Sequence, residues 1–382
     1  MKILLVGEYS RLHNSLKEGL IKLNHEVTLI GKQDGFKNYP VDISLENRFF
    51  KSKYRLFFVK LLYKVFRINL ISIENFLLFY RNRNHFKGYD VVQLYNESFL
   101  KSYHFLEVYA LNFICRNNKS CFLLCCGLDY VSLKYAYEKK FRYSILTPYF
   151  ESSKNKDSYK EILKILGKDR EKLHRAFSNH INGFISSDLD YHIPYKTIPK
   201  YLGMVPNPVN IKIIRPEINP HLEKIIIFHG VNTETYVRKG NKYFDEALQI
   251  IKEKYDQRVE IIRSENIPYK TYINYYNNCH ILLDQIYAYD QGYNALEAMS
   301  KGKVVFTGAE QEWLDYYSLE ADTVAINALP DTEYLVKKLV DLIENPTKIS
   351  EISLNARNFI IENHNYITSA QKYLNLWMSQ IK

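Results

Sequence analysis

The first thirty residues restrict the fold most. Lys2-Ile-Leu-Leu-Val6 is a short apolar run that stops at Gly7. Leu12, Leu16, Leu20 and Leu23 then recur at helical spacing, and Asn24-His-Glu-Val-Thr-Leu-Ile30 is a second strand-like run. No hairpin turn separates the two runs, so the order strand, helix, strand reads as a βαβ unit with parallel strands. Further strands are expected at Asp90–Leu94, Ser120–Cys125 and Gly183–Ser186. Around 199–222 the texture changes, with Val205-Pro-Asn-Pro-Val209, Arg215-Pro216 and Asn219-Pro220 breaking regular structure. The alternation then restarts. Strands are expected at Lys224–His229, Val259–Arg263 and His280–Asp284, with helices at Lys242–Lys254 and Tyr269–Asn277. From about 330 to 382 the pattern is helical, and no repeat of fixed period is present.

A chain of 382 residues exceeds one ordinary core. Alternating elements in both halves predict an α/β fold of two doubly wound, Rossmann-like domains facing across a cleft. The expected division is 1–205, a linker over 206–222, 223–362, and a last helix over 363–382 that packs back on the first domain. Hydrophobic residues at 46% and charged residues at 25% are a globular balance. The net charge of +10 favours anionic partners such as phosphates, nucleic acid or an acidic membrane face. The positive charge is spread along the chain without a nucleic-acid motif, which ranks nucleic acid last. Five cysteines, four of them clustered at 115, 121, 125 and 126, fit reduced buried thiols and a cytoplasmic setting. The apolar start is too short for a signal peptide, and no run approaches the ~20 apolar residues that cross a bilayer.

Residues 49–67 interleave Lys51, Lys53, Arg55, Lys60, Lys64 and Arg67 with aromatic and aliphatic residues. Such a stretch suits the interface of an anionic membrane, and equally a helix that packs inward and shows water a basic side.

The chemistry concentrates at 290–308. A glycine loop opens a helix, Gly302 ends it and a buried strand follows. Unpaired N–H groups at such a helix start, around Tyr293, Asn294 and Ala295, suit an anion such as a diphosphate. Glu297, one turn in, suits the hydroxyls of a ribose instead. Asp290 and Gly292 belong to the same loop. A second phosphate element follows Ile225–Phe228: Gly230 lets a ligand approach the backbone, and Asn232, Arg238 and Lys239 lie in the polar loop behind it. Both elements follow strands, at the edge where open α/β sheets bind ligands. Asp188-Leu189-Asp190 has the Asp-x-Asp form that some glycosyltransferases use for a divalent metal, but three residues are weak evidence. No zinc-ligand pattern, Gly-x-Gly-x-x-Gly after the first strand, or Gly-x-Ser-x-Gly is present, so neither a metal nor a dinucleotide cofactor is expected.

These residues resemble the GT-B glycosyltransferases of the large retaining group called family 4, or glycosyltransferases group 1. The resemblance is strong over about 223–310. It implies that Lys239-Gly240 contacts the donor diphosphate, and that Gly292 to Gly302, with Glu297, contacts donor phosphate and ribose. Asn207–Asn210 with Pro216 matches the family's linker, and Ala356–Trp377 its closing helices. Gly7, Ser10, His13 and Asn14 match a loop that faces the cleft, and Asp129 matches the aspartate of a His-Gly-x-Asp motif whose histidine is Cys126 here. His13 and Asp129 are thus the catalytic candidates; helix capping is the alternative role for Asp129, and surface or capping roles for His13 and Asn14. Two positions depart from the pattern. The family's acid eight residues before the second glutamate is Tyr289, and its arginine after the strand-tip glycine is Val231, for which Arg238 is the substitute.

The resemblance implies transfer of a sugar from a nucleotide diphosphate, UDP- or GDP-linked, to a saccharide or lipid-linked saccharide in cell-surface polysaccharide assembly. Retention without a metal is expected, on a cytoplasmic protein with 49–67 as a candidate contact to the inner membrane face. A nucleotide-sugar 2-epimerase on the same architecture is the alternative.

Overall fold

A computed structural model describes residues 1–32, 37–47, 55, 57, 59, 64–66 and 68–381. Most of the 49–67 segment therefore lies outside the described residues. Two parallel sheets organise the rest. The first holds β1 (Lys2–Val6), β2 (Glu26–Gly31), β3 (Ile43–Ser44), β4 (Val91–Leu94), β5 (Ser120–Cys125), β6 (Gly183–Ser186) and β7 (Tyr201–Met204), in the order β3-β2-β1-β4-β5-β6-β7. The second holds β8 (Ile225–Val231), β9 (Val259–Glu265), β10 (Ile281–Leu283), β11 (Val304–Thr307) and β12 (Ile326–Asn327), in the order β12-β11-β10-β8-β9. Helices cover both faces, so the central strands are buried throughout; β4, β5, β6, β10 and β11 have no exposed residue.

The expected strands and helices lie within a residue or two of where the sequence put them. Three strands were not foreseen. β3 and β12 are two residues long and carry no periodic signal. β7 lies inside the stretch expected to be irregular. It is an edge strand whose register shifts beside Gly203, at φ +126°, so its alternation is broken. All five cysteines are free, and only Cys115 is not fully buried.

Six helices bear on the site: α1 (Leu12–Lys22), α2 (Tyr130–Tyr137), α3 (Leu189–Tyr195), α4 (Asn241–Tyr255), α5 (Tyr293–Ser300) and α6 (Tyr366–Gln380). The last crosses to the first sheet. Ala370, Tyr373, Leu374 and Trp377 of α6 share one core cluster with Ile3, Leu5, Leu16 and Phe122. Gly19 on α1 makes this approach possible, because a Cβ there would lie 2.2 Å from the Tyr366 carbonyl oxygen. The two chain crossings run together: Val209 N–H donates to His364 O at 2.7 Å, and Tyr366 N–H to Val209 O at 3.1 Å.

Trp377 is fully buried against Phe122 and Tyr373. Trp377→Ala is expected to destabilise the protein by about 3–5 kcal/mol, read as a lower urea midpoint. Gly19→Ala should also lower that midpoint, because helix backbone offers no room for the added methyl.

Candidate active site

Each sheet reverses its strand order at one place, between β1 and β4 in the first and between β8 and β10 in the second. Loops leaving such a point part and open a crevice. In the second sheet the crevice holds Lys239, from the loop after β8, and Asp284, just after β10. Lys239 Nζ lies 3.1 Å from Asp284 Oδ1, which also accepts from Asn294 Nδ2 at 3.0 Å. The lysine ammonium thus sits at the first turn of α5. That helix opens on Gly292, which has no side chain to cap it, so its first amides lack intrahelical partners. Gly240, at φ +70°, lets the chain turn into α4 against Ile286.

The other candidates of this half divide. Asn294 is doubly held, since Tyr272 Oη also donates to its Oδ1 at 3.1 Å. Ala295 is a core residue of α5. Tyr293 turns its hydroxyl into the first domain, 2.8 Å from Ser15 Oγ, and donates to Pro208 O at 2.9 Å. Glu297 is engaged across the cleft by Lys37 Nζ at 2.5 Å and Tyr39 Oη at 3.2 Å. Gly230 is small for a packing reason: a Cβ would meet the Tyr272 ring at 2.5 Å. Asn232 caps the short turn behind it by accepting from Glu234 N–H at 2.9 Å. Arg238 donates to Glu234 O at 3.2 Å within its own exposed loop. Gly230, Asn232 and Arg238 thus each have a local contact in this loop.

In the first domain both catalytic candidates have local partners. His13 is buried; Nδ1 donates to Gly7 O at 2.6 Å and Nε2 accepts from Gln93 Nε2 at 3.2 Å. Burial pulls its pKa down to about 4, with the Gly7 carbonyl opposing. With both nitrogens taken, the ring fixes the loop after β1. Gly7, at φ +90°, makes room for the Tyr95 ring, and Asn14 donates to Glu8 Oε2 at 2.6 Å. Ser10, at φ +50°, forms the turn into α1. Asp129 caps α2, accepting from Ser132 N–H at 2.7 Å. Burial and the neighbouring Glu97 charge push its carboxyl up to about 7.

Between the domains lies a cavity of about 250 Å³. The loops after β1, β5, β6 and β10 wall it, including Cys126, Asp188, Asp190, Asp290, Gly292 and Tyr293. Asp190 and Asp290 join the domains here. The Asp190 carboxylate accepts from the Tyr289 and Asp290 amides at 3.1 and 3.2 Å, and Asp290 Oδ2 accepts in return from Leu189 N–H at 3.0 Å. Among the described residues no set of three His, Cys, Asp or Glu is arranged to hold a metal ion. Within Asp188-Leu-Asp190, Asp190 serves the domain contact, and Asp188 accepts from Ser187 Oγ at 2.9 Å. Tyr289, at the position where an acid was expected, packs on Phe141 and accepts from Arg142 N–H at 2.8 Å. The Arg142 guanidinium reaches Glu310 and Glu312 at 2.6 Å each. Sequence reasoning missed Lys37, Tyr39, Arg142 and Asp284, which carry no motif and become neighbours of the site only through the fold.

Burial, helped by the Asp290 and Glu310 charges, pushes Asp190 up to about 7, against the two amides it accepts from. A carboxyl raised in the folded state binds its proton more tightly there than when unfolded. Its contribution to stability is therefore greatest below about 4 and falls as pH rises towards about 7. Urea unfolding of Asp190→Asn should show a shallower loss of stability across that window than the unaltered protein.

Residues 235–375 match the family model described as glycosyl transferase-like. A search of curated proteins finds no match. Among solved structures, the chain is similar to sucrose-phosphate synthase from Thermosynechococcus elongatus, at TM-score 0.62 and 13% identity over 99% of each chain. It is also similar to Anabaena HepE in complex with UDP-glucose, at TM-score 0.55 and 14% identity over 99% of this chain and 100% of that one. A Listeria monocytogenes protein described as a UDP-N-acetylglucosamine 2-epimerase follows at TM-score 0.50 and 12% identity, over 98% and 95%. The architecture is the GT-B fold, two Rossmann-like domains, and with a glycosyl transferase-like match over its second half the chain is an enzyme of the transferase class.

Proposed function

We propose that the chain moves a sugar from a UDP- or GDP-linked donor to a saccharide or lipid-linked saccharide acceptor in cell-surface polysaccharide assembly. One observation carries this reading. Lys239 and the uncapped start of α5 meet at Asp284, beside a cavity closed by both domains. An ammonium and several converging amides are the groups that stabilise charge growing on a leaving diphosphate. They supply that charge stabilisation without a metal, and retention follows the family resemblance. Binding would exchange Asp284 for diphosphate as the partner of Lys239, and ribose hydroxyls for Lys37 as partners of Glu297. The contacts of Arg142, Asp190 and Tyr293 across the cleft hold the domains closed, which limits donor hydrolysis. The donors of structurally similar proteins, UDP-glucose among them, support the class of ligand. We place the protein in the cytoplasm, with 49–67 as its contact to the inner membrane face.

Epimerisation is the second reading, prompted by the epimerase that shares the fold. It needs an acid–base pair in the cleft, and the described cavity wall offers carboxylates without a histidine.

Calorimetry with UDP, GDP, ADP and dTDP tests the donor site. Lys239→Ala should weaken the preferred nucleotide by about 10- to 100-fold, because a charge-assisted hydrogen bond contributes about 1.5–3 kcal/mol. Glu297→Ala should weaken the nucleotide but leave inorganic diphosphate unaffected. Transfer should survive EDTA. Absence of binding by all four nucleotides, or an epimer formed from the nucleotide sugar alone, would remove the reading.

A further inference from the structure

Two helices of the first domain are apolar on both sides. Helix Leu70–Arg81 and helix His104–Arg116 cover the sheet face opposite α1 and α6. Their inner sides are core: Phe79, Ala110, Leu111 and Ile114 pack with strand residues such as Leu4, Val6 and Val92. Their outer sides carry Leu77, Tyr80, Phe105 and Tyr109, which are 45%, 42%, 58% and 48% exposed. A helix that is apolar all round is ordinarily buried on every side, so an open apolar side marks a contact surface. These side chains form one face, because the helices lie side by side in the same direction. At their starts Asn69 N–H donates to Tyr103 Oη at 2.5 Å. In the middle Phe76 meets Tyr109 edge to face at 5.6 Å, and further on Phe79 meets Phe113 at 5.8 Å. Phe76 also touches Tyr80, at 6.2 Å, and so joins the two outer strips. Val65, Phe66 and Ile68 are exposed just before Asn69 and continue the face into the described end of 49–67.

Cations edge this face and acids are withdrawn from it. Arg81 and Arg116, both exposed, are the last residues of the two helices. The Arg83 guanidinium lies over the Tyr80 ring at 4.2 Å, and Lys87 Nζ over the Phe113 ring at 5.2 Å. The two helices hold two acids, Glu74 and Glu107. Glu107 is fully buried and accepts from the Leu100 and Ser102 amides at 3.2 and 2.8 Å. Glu74 accepts from Asn47 Nδ2 at 3.1 Å, and Asp169, at the border, lies 3.4 Å from His104. We propose that this face docks the protein on an anionic membrane, with its rings in the headgroup layer and its cations on lipid phosphates. Aromatic rings with a polar tip suit that layer, and lysine and arginine beside them add attraction to anionic lipid. A second copy of the chain is disfavoured as the occupant, because a two-fold contact would set the same basic edges against each other. Among the described residues, none of this face lines the cleft cavity, so docking leaves the cleft open. The inference rests on the membrane placement proposed above and moves its main contact from 49–67 to this helix pair; it is independent of the nucleotide reading.

Co-sedimentation of the full chain with vesicles tests it, using phosphatidylcholine alone and equal parts phosphatidylcholine and phosphatidylglycerol. The unaltered chain should bind the mixed vesicles and not the neutral ones. Phe105→Ser with Tyr109→Ser should lower that affinity by about 10-fold or more. Arg81→Glu with Arg116→Glu should lower it by about 10-fold or more as well, since each cation near the surface adds to the attraction. Leu354→Ser, at an exposed position of the second domain, should leave it unchanged. Phe105→Trp gives a direct readout, because Trp313 and Trp377 are fully buried: a blue shift of its emission is expected on mixed vesicles. Unchanged vesicle affinity in either double variant, an equal loss in Leu354→Ser, or no blue shift while Phe105→Trp binds overturns this face and leaves 49–67 as the contact. Absence of vesicle binding by the unaltered chain removes both. Calorimetry with the nucleotides reads the donor site separately and should give the same affinities in all of these variants.

Discussion

The reciprocal exchange between two aspartates and the amides of the opposite domain holds the site together. Asp190 accepts from Tyr289 and Asp290, and Asp290 accepts from Leu189. This contact joins loops of both sheets around a common cavity. A carboxylate that accepts backbone amides in a dry site sets position and angle at once. The paired crossings at Val209 and His364–Tyr366, and α6 packed on α1, restrain the same geometry from the far side.

The charges near the cleft are arranged as exchanges. Lys239 faces Asp284, Lys37 faces Glu297, Arg142 faces Glu310 and Glu312, and Arg11 faces Glu18. These cations beside the cleft therefore meet a carboxylate each, not open solvent. Any anion arriving at Lys239 must compete with the Asp284 carboxylate for its ammonium. Specific geometry then counts for more than long-range attraction, since a partner must satisfy both the ammonium and the amides to displace Asp284.

Much of the fold was legible because parallel sheets demand it. Strands buried on both faces read as unbroken apolar runs, and those at Ser120–Cys125 and Gly183–Ser186 stand where the sequence indicated. β7 was hidden because an edge strand with a glycine irregularity loses its pattern. For the site, the loop at Gly292 and the pair at Lys239 were legible from glycine placement and charge. The local contacts of His13 and Asp129 were not all legible. The cap of Asp129 on Ser132 N–H was an expected alternative, whereas the Gly7 carbonyl and Gln93 meet His13 only through the fold.

By itself the sequence determined the alternation of elements, the parallel pairing that follows from it and the helix start suited to an anion, because each depends on residues close together in the chain. The tertiary structure decided which charges meet. Asp190 and Tyr289 are 99 residues apart, and Lys37 and Glu297 are 260 apart. Partners so distant leave no periodic trace in sequence, since their proximity is set by how two sheets are stacked and joined.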